Sequence, residues 1–164
     1  MKVNNNIEKA IKYFKTRIDD NTIIVCIGTP KCKMDAIGPS VGTRLVNSNY
    51  KLKVYGTLED PIHALNLNDK MKVIKENHPD SNIIALDACV TNDEENVGTI
   101  IYNKKPIRPG KGVGKRLQKV GDYSLKAIVS TREYFKPYNF TLTEKDVKGV
   151  NDLIDKVYNI LMSI

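Results

Sequence analysis

The apolar positions of this chain change their period several times, and each change marks an element. Ile7, Ile11, Phe14 and Ile18 recur at three- and four-residue steps, which predicts an amphipathic first helix. Asp19-Asp20-Asn21 ends it. Thr22 to Ile27 is an unbroken apolar, β-branched run, the pattern of a strand buried on both faces, and it stops at Gly28. A loop carrying Pro30 and Asp35 follows. The helical period returns at Pro39, Val41, Leu45 and Val46, with the proline tolerated in the first turn. Leu52 to Tyr55 predicts a short strand that ends at Gly56. Asp60-Pro61 opens a helical stretch through Leu65, Leu67, Met71 and Ile74, closed by His78-Pro79-Asp80. Asn82 to Leu86 predicts a third strand ending at Asp87. Val97 to Tyr102 alternates and predicts a fourth strand, with a place beside the third. Ser124 to Val129 predicts a fifth. A last helix opens at Thr143 and sets Val147, Val150, Ile154, Val157 and Leu161 on one face; Thr143 with Asp146 is a loose form of the capping box.

Strand and helix alternate through the first half, so parallel strands joined by right-handed crossovers are expected. The expected fold class is α/β: one three-layer α/β/α domain over residues 1–164 with a mostly parallel central sheet. A chain of 164 residues can enclose a core of its own. No apolar run approaches the roughly 18–20 residues of a membrane span, and Met1 to Lys15 lacks the apolar centre of a signal peptide. A cytoplasmic protein with no membrane partner is therefore expected. Cys26, Cys32 and Cys89 make no disulfide framework, and no C-x-x-C pair points to structural zinc. Cys26 falls inside an apolar run as a small core residue; Cys32 and Cys89 fall near two aspartates, which leaves a thiol role open.

Charge adds one feature. The formal net charge is +7, and it is concentrated: Val97 to Gly121 holds no acidic residue but carries Lys104, Lys105, Arg108, Lys111, Lys115, Arg116 and Lys119. Such a run is either a solvated loop or a basic wall that draws an anionic partner. Aromatic residues are sparse there and no nucleic-acid module motif occurs, so nucleic acid is not the expected partner.

The candidate chemistry is a pair of aspartates, Asp35 and Asp87, each at or just beyond the end of an apolar run. If the two runs are neighbouring parallel strands, both carboxylates reach the edge where open α/β proteins place their sites. Two converging carboxylates cannot both ionise cheaply, so one holds a proton while the other acts on a water. Taken singly, Asp35 also reads as a helix N-cap and Asp87 as a carboxylate satisfying loop amides. His63 follows the second strand and either borders the same cleft or is a satisfied structural histidine. The run Pro109-Gly110-Lys111-Gly112-Val113-Gly114 has the wrong spacing for a P-loop and no Ser or Thr after Lys115. It is either a turn or a set of amides that meets an oxyanion or a substrate backbone.

These segments together resemble known families. Gly28-Thr29 followed by Met34-Asp35-Ala36-Ile37-Gly38-Pro39 resembles the first acidic motif of the spore germination proteases. Ala85-Leu86-Asp87-Ala88 resembles their second motif, and the glycine-rich run resembles their glycine loop. The resemblance is closer to the smaller YyaC family of sporulation proteins. It is carried by Cys26-Ile27-Gly28-Thr29, Val41-Gly42-Thr43, Val54-Tyr55-Gly56-Thr57-Leu58, Asp60-Pro61, His63-Ala64, Asn66-Leu67 and Asp87-Ala88-Cys89, and covers the chain from about Thr22 onward.

The resemblance implies the fold shared by germination protease and the hydrogenase maturation peptidases. It implies catalytic roles for Asp35 and Asp87 without metal or other cofactor. Gly28, Thr29, His63, Gly110, Lys111, Gly112 and Gly114 are the implied substrate-binding positions, with Lys111 and Lys115 facing acidic residues of the substrate. The implied substrate is a protein or peptide, such as the small acid-soluble spore proteins, in the mother cell or forespore of a sporulating bacterium. Two alternatives stand beside this. In the maturation peptidases the corresponding acidic groups bind nickel with a histidine; a metal-dependent enzyme would use Asp35 and Asp87, but neither His63 nor His78 lies where that histidine is expected. The other alternative is a non-catalytic binding or regulatory module that keeps the fold, since the chain is much shorter than germination protease. The oligomeric state is left open, a homo-oligomer included.

Overall fold

A computed structural model describes residues 2–109, 117–135 and 141–164. Among these residues the chain forms a five-stranded sheet in the order β2-β1-β3-β5-β4, where β1 is Ile23–Cys26, β2 Lys53–Tyr55, β3 Ile83–Thr91, β4 Ile100–Asn103 and β5 Tyr123–Thr131. β2, β1, β3 and β5 run parallel, and β4 lies antiparallel on the β5 edge. The expected α/β class and mostly parallel sheet are both observed.

Among the described residues four α-helices cover the sheet: α1 (Lys2–Lys15), α2 (Ile37–Asn47), α3 (Leu67–Asn77) and α4 (Glu144–Met162). Alternate residues of the strands feed two separate cores, as the period of two requires. Ile24, Cys26, Ile84, Leu86 and Leu125 pack with Phe14 of α1, Leu45 of α2 and Val157 of α4. Ile23, Val25, Ile27, Ile83 and Ala85 pack with Leu67, Met71 and Ile74 of α3. Three helices therefore lie on one face and one on the other. α4 starts with a full reciprocal capping box: Thr143 Oγ1 accepts from the Asp146 amide at 3.2 Å, and Asp146 Oδ2 accepts from the Thr143 amide at 2.8 Å.

Several boundaries differ from the pattern. The first helix ends at Lys15, so Ile18 lies outside it and packs against the core from the following turn. The third helix starts at Leu67 rather than Asp60, and Leu65 is 77 % exposed. The intervening turn is held by Asn66, whose Oδ1 accepts from the His63 amide while its Nδ2 donates to the Pro61 carbonyl. Asp87 does not end the third strand: β3 continues to Thr91, because β5 pairs with it beyond the last residue of β1. The fourth strand pairs with β5 and not with β3. Alternation along one strand carries no information about its neighbour, so that partner was invisible to periodicity. Among the described residues no helix is long and apolar enough to cross a membrane.

Candidate active site

Asp35 is held by a short turn that closes over the end of β1. The chain leaves Cys26, passes Gly28, and returns in a 3-10 turn at Lys33–Asp35 before entering α2. Two glycines make that closure possible. Gly28 has φ +147°, and a Cβ there would stand 2.0 Å from the Asp35 carbonyl oxygen. A Cβ on Gly38 would stand 2.2 Å from the carbonyl oxygen of Ile27. Both are backbone contacts that no rotamer change can relieve, so these positions admit only glycine. The tight approach sets the Asp35 carboxyl over the Thr29 amide, which donates to Oδ2 at 3.0 Å. Asp35 is thus tied to the loop before it and is not the side-chain cap of α2, whose N-cap position is Ala36 with no side-chain bond.

Asp87 is placed by strand register. It is one residue beyond Leu86, which pairs with Cys26, the last residue of β1. Its side of the sheet is that of Ile83 and Ala85, the α3 face, where apolar cover by α3 thins toward the C-terminal edge. On β5 its register partner is Lys126, and the partner of Lys126 on β4 is Ile101. Asp87, Lys126 and Ile101 therefore form a row across three strands on one face. The first two are half-buried, and Ile101 is 43 % exposed.

The two aspartates are within electrostatic reach of each other. Burial and the neighbouring Asp35 carboxyl push Asp87 well above the ordinary carboxylate range, against the opposing pull of the Ala88 amide and Lys126. Asp35 is raised by burial to about 6, with the Thr29 amide working in the opposite direction. Of the two, Asp87 is the carboxyl pushed more strongly toward its protonated form, and Asp35 is the one that ionises first. Cys89 lies two residues further on the same strand; burial and then the Asp87 charge push its thiol up to about 12, so it stays protonated. Cys26 is fully buried and also raised to about 12 by burial alone.

The other candidates are distributed as follows. Thr29 contributes its amide to Asp35, as above. His63 reaches the same edge, because Ile62 bridges Ile27 and accepts from the Gly28 amide at 2.8 Å. Its polar atoms engage its own loop: Nδ1 accepts from the Leu65 amide at 3.3 Å. His78 caps α3 and bonds through Nε2 to the Tyr55 hydroxyl at 2.7 Å. Gly110, Lys111, Gly112 and Gly114, with Lys115, lie outside the described residues. Their described flanks are anchored, with Ile107 and Val120 exchanging backbone bonds and the Gln118 amide reaching Asn68 at the start of α3. The loop that carries Asp35 also borders a cavity of about 450 Å³ against α2 and α4, lined by Lys31, Lys33 and Ser40 over Leu58, Val150 and Ile154.

The donor set at this edge does not suit nickel. Among the described residues no three His, Cys, Asp or Glu side chains come together as ligands. The two carboxyls have an ammonium level with one of them, and the edge histidine is turned into its own loop. Nickel favours imidazole or thiolate donors, so these residues do not fit it. The residue that periodicity missed is Lys126. In the alternation of Tyr123 to Ile128 it reads as an ordinary solvent-facing lysine, and only the register across β3, β5 and β4 sets it beside Asp87.

Comparison with known proteins places the chain. Residues 1–160 match the family described as "Protein of unknown function (DUF1256)", and the chain belongs to that family. It is 40 % identical over 124 residues to the uncharacterized protein YyaC of Bacillus subtilis (strain 168), across 73 % of this chain. The chain spans 60 % of the length of that relative. Among solved structures it is similar to a [NiFe] hydrogenase maturation protease, HycI, from Thermococcus kodakarensis KOD1, with a TM-score of 0.46 and 16 % identity over 85 % of this chain and 91 % of that one. A likeness at that level carries no functional argument.

Proposed function

We propose that this chain is a peptidase in which Asp35 and Asp87 activate a water for attack on a peptide bond. The observation that carries the reading is the pair itself: two half-buried carboxyls at one sheet edge whose surroundings separate their protonation states. Asp35, ionised above about 6, is the base; Asp87, the carboxyl pushed more strongly toward its protonated form, is the acid.

The proton movements balance over two steps. Asp35 takes a proton from the water as its oxygen bonds to the scissile carbonyl carbon, and Asp87 gives its proton to the carbonyl oxygen. The tetrahedral diol then returns a proton to Asp87 as the C–N bond breaks, and Asp35 delivers its proton to the departing amine. Both residues end as they began. No side-chain nucleophile is required, which agrees with a Cys89 thiol held protonated beside the pair.

The motif resemblance supports a protein substrate of the small acid-soluble spore protein class, handled in the cytoplasm during sporulation by residues 1–164 acting as one peptidase domain. Gly28 and Thr29 shape and bond the Asp35 loop in this scheme, and His63 borders the cleft. The test mixes purified protein with small acid-soluble spore proteins and follows cleavage by mass spectrometry, beside Asp35→Asn and Asp87→Asn. Cleavage by wild type that falls at least about a thousandfold in both folded variants is expected, since each step needs both groups. Undiminished cleavage by folded Asp87→Asn overturns the mechanism. No cleavage by folded wild type favours the binding-module alternative.

A further inference from the structure

The row Asp87, Lys126, Ile101 places a cation where the two-carboxyl scheme has no stated use for one. Lys126 stands on β5, between β3 and β4, in register with Asp87. A half-buried ammonium on an interior strand is costly unless something uses its charge. Among the described residues the ion pairs are Arg44–Asp155 and Lys70–Asp60, so Lys126 is not clamped into a contact pair with Asp87. It is near enough to act on Asp87 and on Cys89 through space.

Among the described residues, few charged or titratable groups act on Asp87 or on its strand neighbour Cys89. Asp35 comes from the 3-10 turn, Cys89 from β3 itself, Lys126 from β5 and Arg132 from the residue after it. The α3 side chains on this face, Leu67, Met71 and Ile74, are apolar, and β4 offers Ile101 and Asn103. His63 stands at the edge with Nδ1 engaged by Leu65. Lys126 is therefore the basic group in register with Asp87.

We propose that Lys126 is a positioning residue for Asp87: held level with it by the strand register, its ammonium balances the carboxyl pair and keeps the Asp87 proton transferable. An acid too reluctant to ionise is a poor proton donor, because transfer needs an affordable carboxylate on the donor side. The mildest way to soften a buried carboxyl without ionising it is a cation at short range but out of contact. Lys126 does this without a metal, which accords with a donor set unsuited to one. The inference builds on the paired-carboxyl reading, yet its test needs no substrate.

The experiment is a carboxyl-carbon NMR titration of protein labelled with ¹³C at the aspartate side-chain carboxyl, with Asp87→Asn used to assign the Asp87 signal. Wild type is compared with Lys126→Met, Lys126→Gln and Lys126→Arg, each checked for a native amide spectrum. In the Met and Gln variants the Asp87 carboxyl is expected to titrate about one pH unit or more higher, the size of effect an opposite charge exerts at close range. The Arg variant is expected to return it to within a few tenths. An Asp87 titration that stays put in both uncharged variants, or moves down, overturns the proposal. So does failure of Arg to restore it. If the shift occurs while no protein is ever cleaved, the peptidase reading fails and the role of Lys126 stands; if cleavage occurs without the shift, the reverse holds.

Discussion

The N-terminal half of β3, Ile83–Leu86, is buried throughout, whereas the C-terminal half, Asp87–Thr91, is half-buried along its length. The first half pairs with β1 on one side and β5 on the other, and its side chains enter both cores. The second half has outrun β1, so β5 alone is its partner strand. Where the sheet is enclosed, it selects apolar β-branched residues and each one contributes by burial. Where the enclosure ends, the same strand carries Asp87 and Cys89 next to Lys126, groups that oppose burial. The sheet thus serves as scaffold in one half, and in the other holds ionisable groups in an environment they would not choose. Proteins tolerate that conflict at functional sites and offset it elsewhere.

Adjacent substitutions across that boundary should have opposite effects on stability. Leu86 is 0 % exposed and sits in the larger core. Leu86→Ala is expected to cost about 2–5 kcal/mol, read by denaturant unfolding. Asp87→Asn replaces a carboxyl whose ionised form is opposed by burial and by Asp35 with a neutral group of the same shape. It is expected to raise Tm at pH 7 while removing turnover. A destabilised Asp87→Asn protein would mean that Asp87 is structural, and the contrast between the two halves of β3 would collapse.

Much of the enclosed half was legible in the chain. Thr22 to Ile27 and Asn82 to Leu86 are apolar because both faces of those strands meet helices, so composition reports environment directly. Asp35 and Asp87 were legible for the opposite reason: each is a charge at the margin of an apolar run. The extent of β3 was not legible, since residues beyond Asp87 lose the burial that makes a strand visible to pattern. Lys126 was hidden because its meaning lies in a pairing between segments 39 residues apart in sequence (126 minus 87), and single-strand alternation is silent on register. The start of α3 was misplaced because Asn66 holds a turn by side-chain bonds to Pro61 and His63 where helical spacing suggested helix.

The pH dependence of stability gives a second, smaller contrast. The ordinary value for Asp35 is 3.8 and its folded value is about 6. A carboxyl raised on folding makes the native state bind more protons than the unfolded chain between those values, so stability falls as pH rises through that window. The cost is absent below about 3.8 and constant above about 6. Its ceiling is about 3 kcal/mol, and solvent at a half-buried side chain brings the expected size to about 1–2 kcal/mol. Asp35→Asn lacks this dependence. Denaturant unfolding of wild type and Asp35→Asn is therefore expected to show a difference that opens between pH 4 and pH 6, in favour of the variant, and then levels. A gap that is flat across the window would show that Asp35 folds with its carboxyl as acidic as in the unfolded chain.

The smallest expected effect lies at the opposite end of the same strands. Asp122 precedes β5 as Asp87 continues β3, but it stands in the enclosed half of the sheet and is exposed. Its Oδ2 accepts from the Ile83 amide at 2.8 Å, and its own amide donates to the Ile83 carbonyl at 2.8 Å. This carboxylate satisfies the first backbone donor of β3 and does nothing else visible. Asp122→Ala leaves that amide without its partner and is expected to cost about 1 kcal/mol, with cleavage within twofold of wild type. Asp87→Asn should do the reverse on both counts. A large loss of cleavage in folded Asp122→Ala would mean that the two ends of β3 are functionally coupled, because a substitution that frees only one backbone amide at the enclosed end has no direct route to the carboxyl pair at the open one.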